Sequence, residues 1–361
     1  MDESSQAIVV DTGSYSIKAG FTSLPRPNVV MKCTPTPQAS VLFKESKTVT
    51  VKNKGDSNTY STIQYPIMER QVYFSHEIEL IWSHLFYNEL KVATETHPFI
   101  MTEAISTPKA YREKMTQVMF ELYNVPALYI SNPSVLALYA SGNATGSVVD
   151  SGYEMTHVSS IYEGYVIPQS VQVLNYGGRE VTSHLESLIS KKSSSLNRSI
   201  IQEIKEKLCF ISANPYNEFY SYEDEVSYEL PDGSAFTLGS ERLNAPEILF
   251  RPEIINMKCD GFNEAVYKSI MACEEDVRRM MFNNIVLAGG NTMFGGIKDR
   301  LNADLGRKVN QSIEITAQPE RIFSPWLGGC VMSSLSSFQH LWMIKEEYNE
   351  IGPGLVHQKC Y

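Results

Sequence analysis

Two short strings in this chain place a carboxylate where chemistry can happen. Val9-Val10-Asp11-Thr12-Gly13 and Val148-Val149-Asp150-Ser151-Gly152 share one pattern, which implies two similar halves, each with an Asp near the end of a strand. A β-branched run favours a strand. The Gly after it permits a tight turn and close backbone approach. Two such turns can hold a metal–phosphate group between their backbone N–H groups, as in a nucleotide clamp. They can equally make two carboxyls share one proton, as in an aspartic protease.

A third Gly-containing segment bears on that choice. Asn284–Ala288 reads as a buried strand running into Gly289-Gly290-Asn291-Thr292-Met293-Phe294-Gly295-Gly296, with a helix from Ile297. A strand–loop–helix junction is a common place for a phosphate or nucleotide. The loop matches neither G-x-G-x-x-G nor a P-loop, so by itself it is a structural turn as readily as a binding one. Beside two Asp-x-Gly turns it supports the clamp. Asp11 and Asp150 would then hold a divalent cation through its waters, and the N–H groups of Gly13, Ser14 and Tyr15 would face phosphate oxygens. Against the protease stand five or more helical patterns, where pepsin-like enzymes are almost wholly β. The opening Met1–Ser5 also has neither a basic segment nor an apolar core, so no signal peptide is expected.

Composition narrows the classes further. The 361 residues are enough for two or three domains, and 43% apolar with 20% charged residues is ordinary for a globular protein. A net charge of −10 argues against nucleic-acid binding as the main role. No apolar stretch is long enough for a membrane span. The six cysteines are scattered, with no Cys-x-x-Cys, and read as reduced structural thiols. The seven histidines show no ligand spacing, which disfavours a His-built metal site.

The elements that must position these residues follow from periodicity. Ala7–Val10 is expected as a strand, Asp11–Tyr15 as a turn and Ser16–Phe21 as the returning strand. Residues 22–65 read as a small β module with short strands such as Lys47–Lys52. Helices are expected over 78–90, 109–123, 133–141, 200–208 and 262–282, and a Ser-rich one through Leu335, Phe338, Leu341 and Trp342. Residues 145–167 repeat the opening strand–turn–strand, and Gly233 closes a turn.

Longer strings carry a family resemblance. Val10–Phe21, Phe86–Val92, Arg112–Gln117, Leu138–Gly142, Ile161–Tyr165, Ile204–Cys209, Tyr228–Gly233, the run from Trp326 through Tyr348, and Val356–Tyr361 resemble actin in the same order over almost the whole chain. The resemblance implies an α/β, actin-like ATPase fold: two ribonuclease-H-like domains split into four subdomains around a nucleotide cleft. On that mapping subdomain 1 is 1–32, 66–140 and 324–361, and subdomain 2 is 33–65. Subdomain 3 is 141–176 and 258–323, and subdomain 4 is a shortened 177–257. The implied ligands are ATP or ADP with Mg2+ or Ca2+. Phosphate loop one is Asp11–Lys18, and loop two begins Asp150-Ser151-Gly152. The adenosine site takes in Gly178, Lys205, Glu206 and Gly289–Phe294.

Departures from the family carry as much information as the matches. Tyr15 stands where actin has Gly, so a ring must find room near the phosphates. Pro133 stands where a Gln helps to orient the attacking water, and Pro has neither amide side chain nor N–H. Tyr153-Glu154 replaces Asp-Gly, which removes an Asp beside the metal waters and adds a carboxylate near the expected γ-phosphate, where it would repel. Ile322 replaces an adenine-packing Lys, and Gln202 a basic residue. His157 is retained where the family positions water; a lone His is otherwise simply packed and hydrogen-bonded. Hydrolysis is therefore expected to be very slow or lost.

The departures also cluster by region. Residues 33–65 share little with actin and 183–227 are shortened, whereas the opposite, barbed end is kept. There a groove lined by Tyr139, Gly142, Leu335 and Met343 is expected to accept a partner helix, with part of that stripe serving as core. The expectation is a cytoplasmic, cytoskeletal protein (nucleus or axoneme also open) that meets actin or actin-like protomers, without nucleic acid or membrane. It would serve a filament or a larger assembly such as a chromatin remodeller, dynein-type motor or axonemal complex. The competing expectation is a conventional polymerising ATPase.

Overall fold

The computed structural model describes residues 6–33, 67–68, 71–72, 76–190, 196–213 and 225–360. Of the expected module at 22–65, residues 34–65 with the strand Lys47–Lys52 lie outside the described residues, while Val29–Lys32 joins the main sheet of the first unit. The chain divides into two compact units, 1–133 with 329–361 and 134–328. The chain thus passes between the units at 133/134 and 328/329. Both sit inside helices, Pro133–Ala140 and Ser324–Ser334.

In the first unit, strands β1 (Ile8–Thr12), β2 (Ser16–Phe21), β3 (Val29–Lys32), β6 (Phe99–Thr102), β7 (Ala127–Ser131) and β16 (Met343–Ile344) form one sheet in the order β16-β7-β6-β1-β2-β3. A two-residue pair, β4 (Ile67–Met68) with β5 (Gln71–Val72), stands apart from it. The central strands β1, β6 and β7 run parallel and every residue in them is buried, as expected of strands covered on both faces. Asp11 falls within β1 rather than in the expected turn; the turn itself is Gly13–Tyr15.

The expected helix 78–90 is an α-helix, His76–Ser83, continuing as a π-helical turn, His84–Glu89. The helix 109–123 likewise passes from Lys109–Gln117 into a π-helical Val118–Leu122. A widened turn lets consecutive apolar residues face inward together. Leu85 and Phe86 are both buried, as are Val118, Met119 and Phe120. Phe86 meets Phe99 and Tyr123 edge-on, with centroids 5.0 Å away in each case.

The second unit repeats the plan. Strands β8 (Gly146–Ser151), β9 (Thr156–Tyr162), β10 (Tyr165–Val166), β14 (Ile285–Ala288) and β15 (Ile315–Thr316) are ordered β10-β9-β8-β14-β15, and β11 (Gln172–Leu174) also pairs with β9. β8 is antiparallel to β9 and parallel to β14, as β1 is to β2 and β6. The two aspartates occupy equivalent places: Asp11 lies opposite Lys18, and Asp150 opposite His157. Helices Gly178–Ile189, Arg198–Leu208, Phe262–Met271, Glu275–Phe282 and Ile297–Gly306 pack their apolar faces into the core of this unit. A hairpin of β12 (Val226–Glu229) and β13 (Ala235–Leu238) holds Gly233 at a φ of 82° in its turn, as expected.

Two helical expectations change. Residues 262–282 are two helices, interrupted where Arg278 Nε donates to the Cys273 carbonyl at 2.9 Å. The Ser-rich stretch is not one helix. Ser324–Ser334 is followed by a 3-10 turn, Ser336–His340, and then by β16, which pairs with β7.

One buried cation ties the second unit together. Arg300 is 1% exposed and lies with Phe250, the ring centroid 4.7 Å from its guanidinium carbon. Its guanidinium donates to both Glu247 oxygens at 2.9 Å and, through Nε, to Asp304 Oδ2 at 2.9 Å. Removing one member of such a set strands uncompensated charge. R300A is therefore expected to lower stability by about 3–5 kcal/mol, read as a fall in the denaturant midpoint with the slope unchanged.

Candidate functional site

The first unit supplies a buried carboxylate with its own cation. Asp11, 6% exposed, accepts from Thr102 Oγ1 at 3.1 Å and from Lys18 Nζ at 3.0 Å. Thr102 also takes the Thr12 N–H at 2.9 Å, which fixes the hydroxyl that orients Asp11. The turn is tight: the Gly13 N–H donates to the Ser16 carbonyl at 3.3 Å, so that group serves the turn itself. A Cβ at Gly13 would come within 2.9 Å of the same carbonyl. The Tyr15 ring finds its room on the β3 side, with Lys32 Nζ 5.8 Å from its centroid. Burial pushes the Cys33 thiol, bonded to the Gly13 carbonyl, up to about 12.

The second unit builds its counterpart from three segments. Asp150, 1% exposed, is next to last in β8 and lies opposite His157, and Ser151 Oγ meets Thr156 Oγ1 at 2.7 Å. The turn after β8 is latched to the helix Gly178–Ile189 by its first two N–H groups: Gly178 donates to the Gly152 carbonyl at 3.0 Å and Arg179 to that of Tyr153 at 2.7 Å. Glu154, 4% exposed, turns toward Arg179 Nη1 at 3.3 Å, so the added carboxylate arrives with a compensating cation. Asn291 Nδ2 donates to the Gly152 carbonyl at 2.7 Å and to Ser151 Oγ at 3.1 Å, joining the Gly-rich loop to the same turn.

That loop depends on its first glycine. Gly289 has φ 85°, and a Cβ there would lie 2.3 Å from the Ser151 carbonyl oxygen and 2.8 Å from Asp150 Oδ1. Thr292 Oγ1 donates to the Gly289 carbonyl at 2.7 Å, and Phe294 is buried in the core of the unit. Gly290 and Met293 are exposed. Arg321, beside Ile322, donates to the Thr292 carbonyl at 2.6 Å.

The structure brings Lys205 and Gly178 together. Lys205 Nζ donates to the Gly178 carbonyl at 3.1 Å and to Gln202 Oε1 at 3.0 Å, while Glu206 is exposed beside it. Desolvation, the largest influence, lowers the Lys205 ammonium to about 8. A Cβ at Gly178 would come within 2.9 Å of Asn291 Oδ1 and 3.2 Å of Lys205 Nζ. Sequence reasoning missed two supports, Arg321 and Thr182, whose hydroxyl donates to the Gly178 carbonyl at 2.8 Å. Neither carries a motif, and only the fold brings them near. Gln202 was visible only as a departure.

The donor set fits a nucleotide with a hydrated cation. Among the described residues no three His, Cys, Asp or Glu side chains gather as a ready-made metal cage. A buried carboxylate such as Asp11 or Asp150 suits a hard cation that keeps most of its waters. The glycines at 13, 178 and 289 are required by close packing against the protein's own groups, which sets the shape of these turns.

The expected helix groove needs correction. Met343 is 0% exposed in β16, paired with Leu128, so it is core and lines no surface. Leu335 and Gly142 are exposed and Tyr139 is half-buried. No helix among the described residues is long and apolar enough to cross a membrane.

Lys205 yields a pH test. With its folded pKa below the unfolded 10.5, the unfolded chain binds more protons between about pH 8 and 10.5, so this group's contribution to stability rises across that window. The stability difference, wild type minus K205M, is expected to grow by about 3 kcal/mol from pH 7 to pH 10.5, read by denaturant titration at each pH.

The comparison with known families agrees with the plan of two Asp-bearing hairpin sheets. The Actin family model matches residues 2–361, essentially the whole sequence, and the pepsin-like alternative is thereby overturned. This chain belongs to the actin family.

Proposed function

We propose that this protein is a divergent actin-like structural subunit of a filament or larger assembly, holding ATP or ADP with very slow or absent hydrolysis. The observation that carries the reading is Pro133. It opens the helix Pro133–Ala140 at the place where the resemblance calls for a water-orienting amide, and its ring offers no donor. His157 remains at its register position opposite Asp150, so a water could still be oriented, but the second orienting group is gone. Supporting the nucleotide half of the reading are the buried Asp11 and Asp150 and the Lys18 cation. When bound, Mg2+ or Ca2+ would neutralise phosphate charge; Asp11 and Asp150 would accept hydrogen bonds from its waters, and Lys18 would balance the remaining charge.

Retention of Asp11, Asp150 and His157 favours the competing reading, a conventional polymerising ATPase. Steady-state phosphate release, with and without filament-promoting salt, separates the two. Wild type is expected to show no turnover above background, while P133Q gains roughly tenfold or more. Brisk release by wild type that H157A abolishes, together with long filaments of the protein alone, would overturn the proposal. Acid denaturation of the purified protein should release bound ATP or ADP.

A further inference from the structure

The two Asp-bearing turns are built alike but charged differently. In the first unit the register position opposite Asp11 holds Lys18, whose ammonium lies 3.0 Å from Asp11 Oδ2. That pair is balanced, and Lys32 adds a further cation over the Tyr15 ring. In the second unit the position opposite Asp150 holds His157 where the first unit has a lysine, and the turn itself carries Glu154.

The cation that meets Glu154 is shared. Arg179 Nη1 donates to Glu154 Oε1 at 3.3 Å, while its Nε donates to Glu180 Oε1 at 2.8 Å. Glu180 is fixed at the start of its helix, where Oε2 accepts the Gly177 N–H at 2.8 Å. Asp150, Glu154 and Glu180 thus share one guanidinium, and the set is net negative. Lys205, the next cation, lies beyond Gly178 and donates to its carbonyl. Backbone donors do little to offset this charge. The Gly152 N–H goes to the Met155 carbonyl at 2.9 Å, and those of Gly178 and Arg179 go to the Gly152 and Tyr153 carbonyls. Glu154 is 4% exposed, so water and salt screen it far less than a surface carboxylate.

We propose that Glu154 selects the nucleotide by charge, so that the site takes a nucleoside diphosphate in preference to the triphosphate. The inference rests on the nucleotide reading above. A diphosphate's charge is matched by a divalent cation together with Lys18. Each further phosphate adds negative charge to a site whose second turn already carries a buried excess of it, and like charges at short range in a poorly screened setting repel strongly. The preferred ligand is then one with no terminal phosphate to lose, which is a separate matter from the missing water-orienting amide at Pro133.

The test measures affinity on the full chain, with Mg2+ present, by displacement of a fluorescent ADP analogue. The competitors are ADP and the β,γ-imido analogue of ATP, which cannot turn into ADP. Wild type should hold ADP roughly tenfold or more tighter than the triphosphate analogue. E154Q keeps the shape and removes the charge; it should narrow the preference to within about threefold by tightening the triphosphate, with ADP affinity little changed. E154D keeps the charge and should keep the preference. A wild type that holds the triphosphate as tightly as ADP, or a preference that E154Q leaves intact, would overturn the assignment to Glu154 while the nucleotide reading stands. A wild type that binds neither nucleotide would overturn both.

Discussion

A carboxylate at the covered end of a central strand survives only where charge and hydrogen bonds meet it, because unpaired burial costs several kcal/mol. Asp11 meets that condition through Lys18 and Thr102, one from each neighbouring strand. Asp150 is next to last in the equivalent strand of the second unit, with His157 at the matching register position. Much of the surrounding architecture serves this requirement. The antiparallel return strand places the cross-strand side chain, the parallel neighbour places the next contact, and the glycine turn lets the backbone fold back over both.

The second unit adds constraints of its own. The first two N–H groups of the helix Gly178–Ile189 are donors that an anion could take. Here they go to the carbonyls of Gly152 and Tyr153. The turn after β8 is thus shaped by protein groups, and Glu154 is tied to the same helix through Arg179. Asn291 and Gly289 then fix the Gly-rich loop to that turn. Position at this turn is inherited from backbone contacts as much as from side chains.

Arg300 fills a complementary role away from the site. Its guanidinium joins the helix Ile297–Gly306, which follows the Gly-rich loop, to Glu247 and to the Ser212 carbonyl. Geometry at the loop therefore leans on a buried ion set that has no chemistry of its own. Replacing such a set as a whole by well-packed apolar residues is often neutral, whereas removing one member is costly.

The paired Val-Val-Asp strings were enough to foretell two similar hairpins, because β-branched runs and the Gly after each Asp act locally. The strand into Gly289, the helix at 200–208 and the turn at Gly233 were legible for the same reason. Periodicity could not show that the helices at 78–90 and 109–123 widen into π-turns, since this depends on how many adjacent apolar residues the core admits. Nor could it show that Met343 is core, which the pairing of β16 with β7 decides. Glu154 read alone was a repulsive charge, and its Arg179 partner comes from another element. Residue type determined which groups could do chemistry; only the tertiary structure decided which charges meet, because partners such as Gln202, Thr182 and Gly178 converge through packing between elements and not through spacing along the chain.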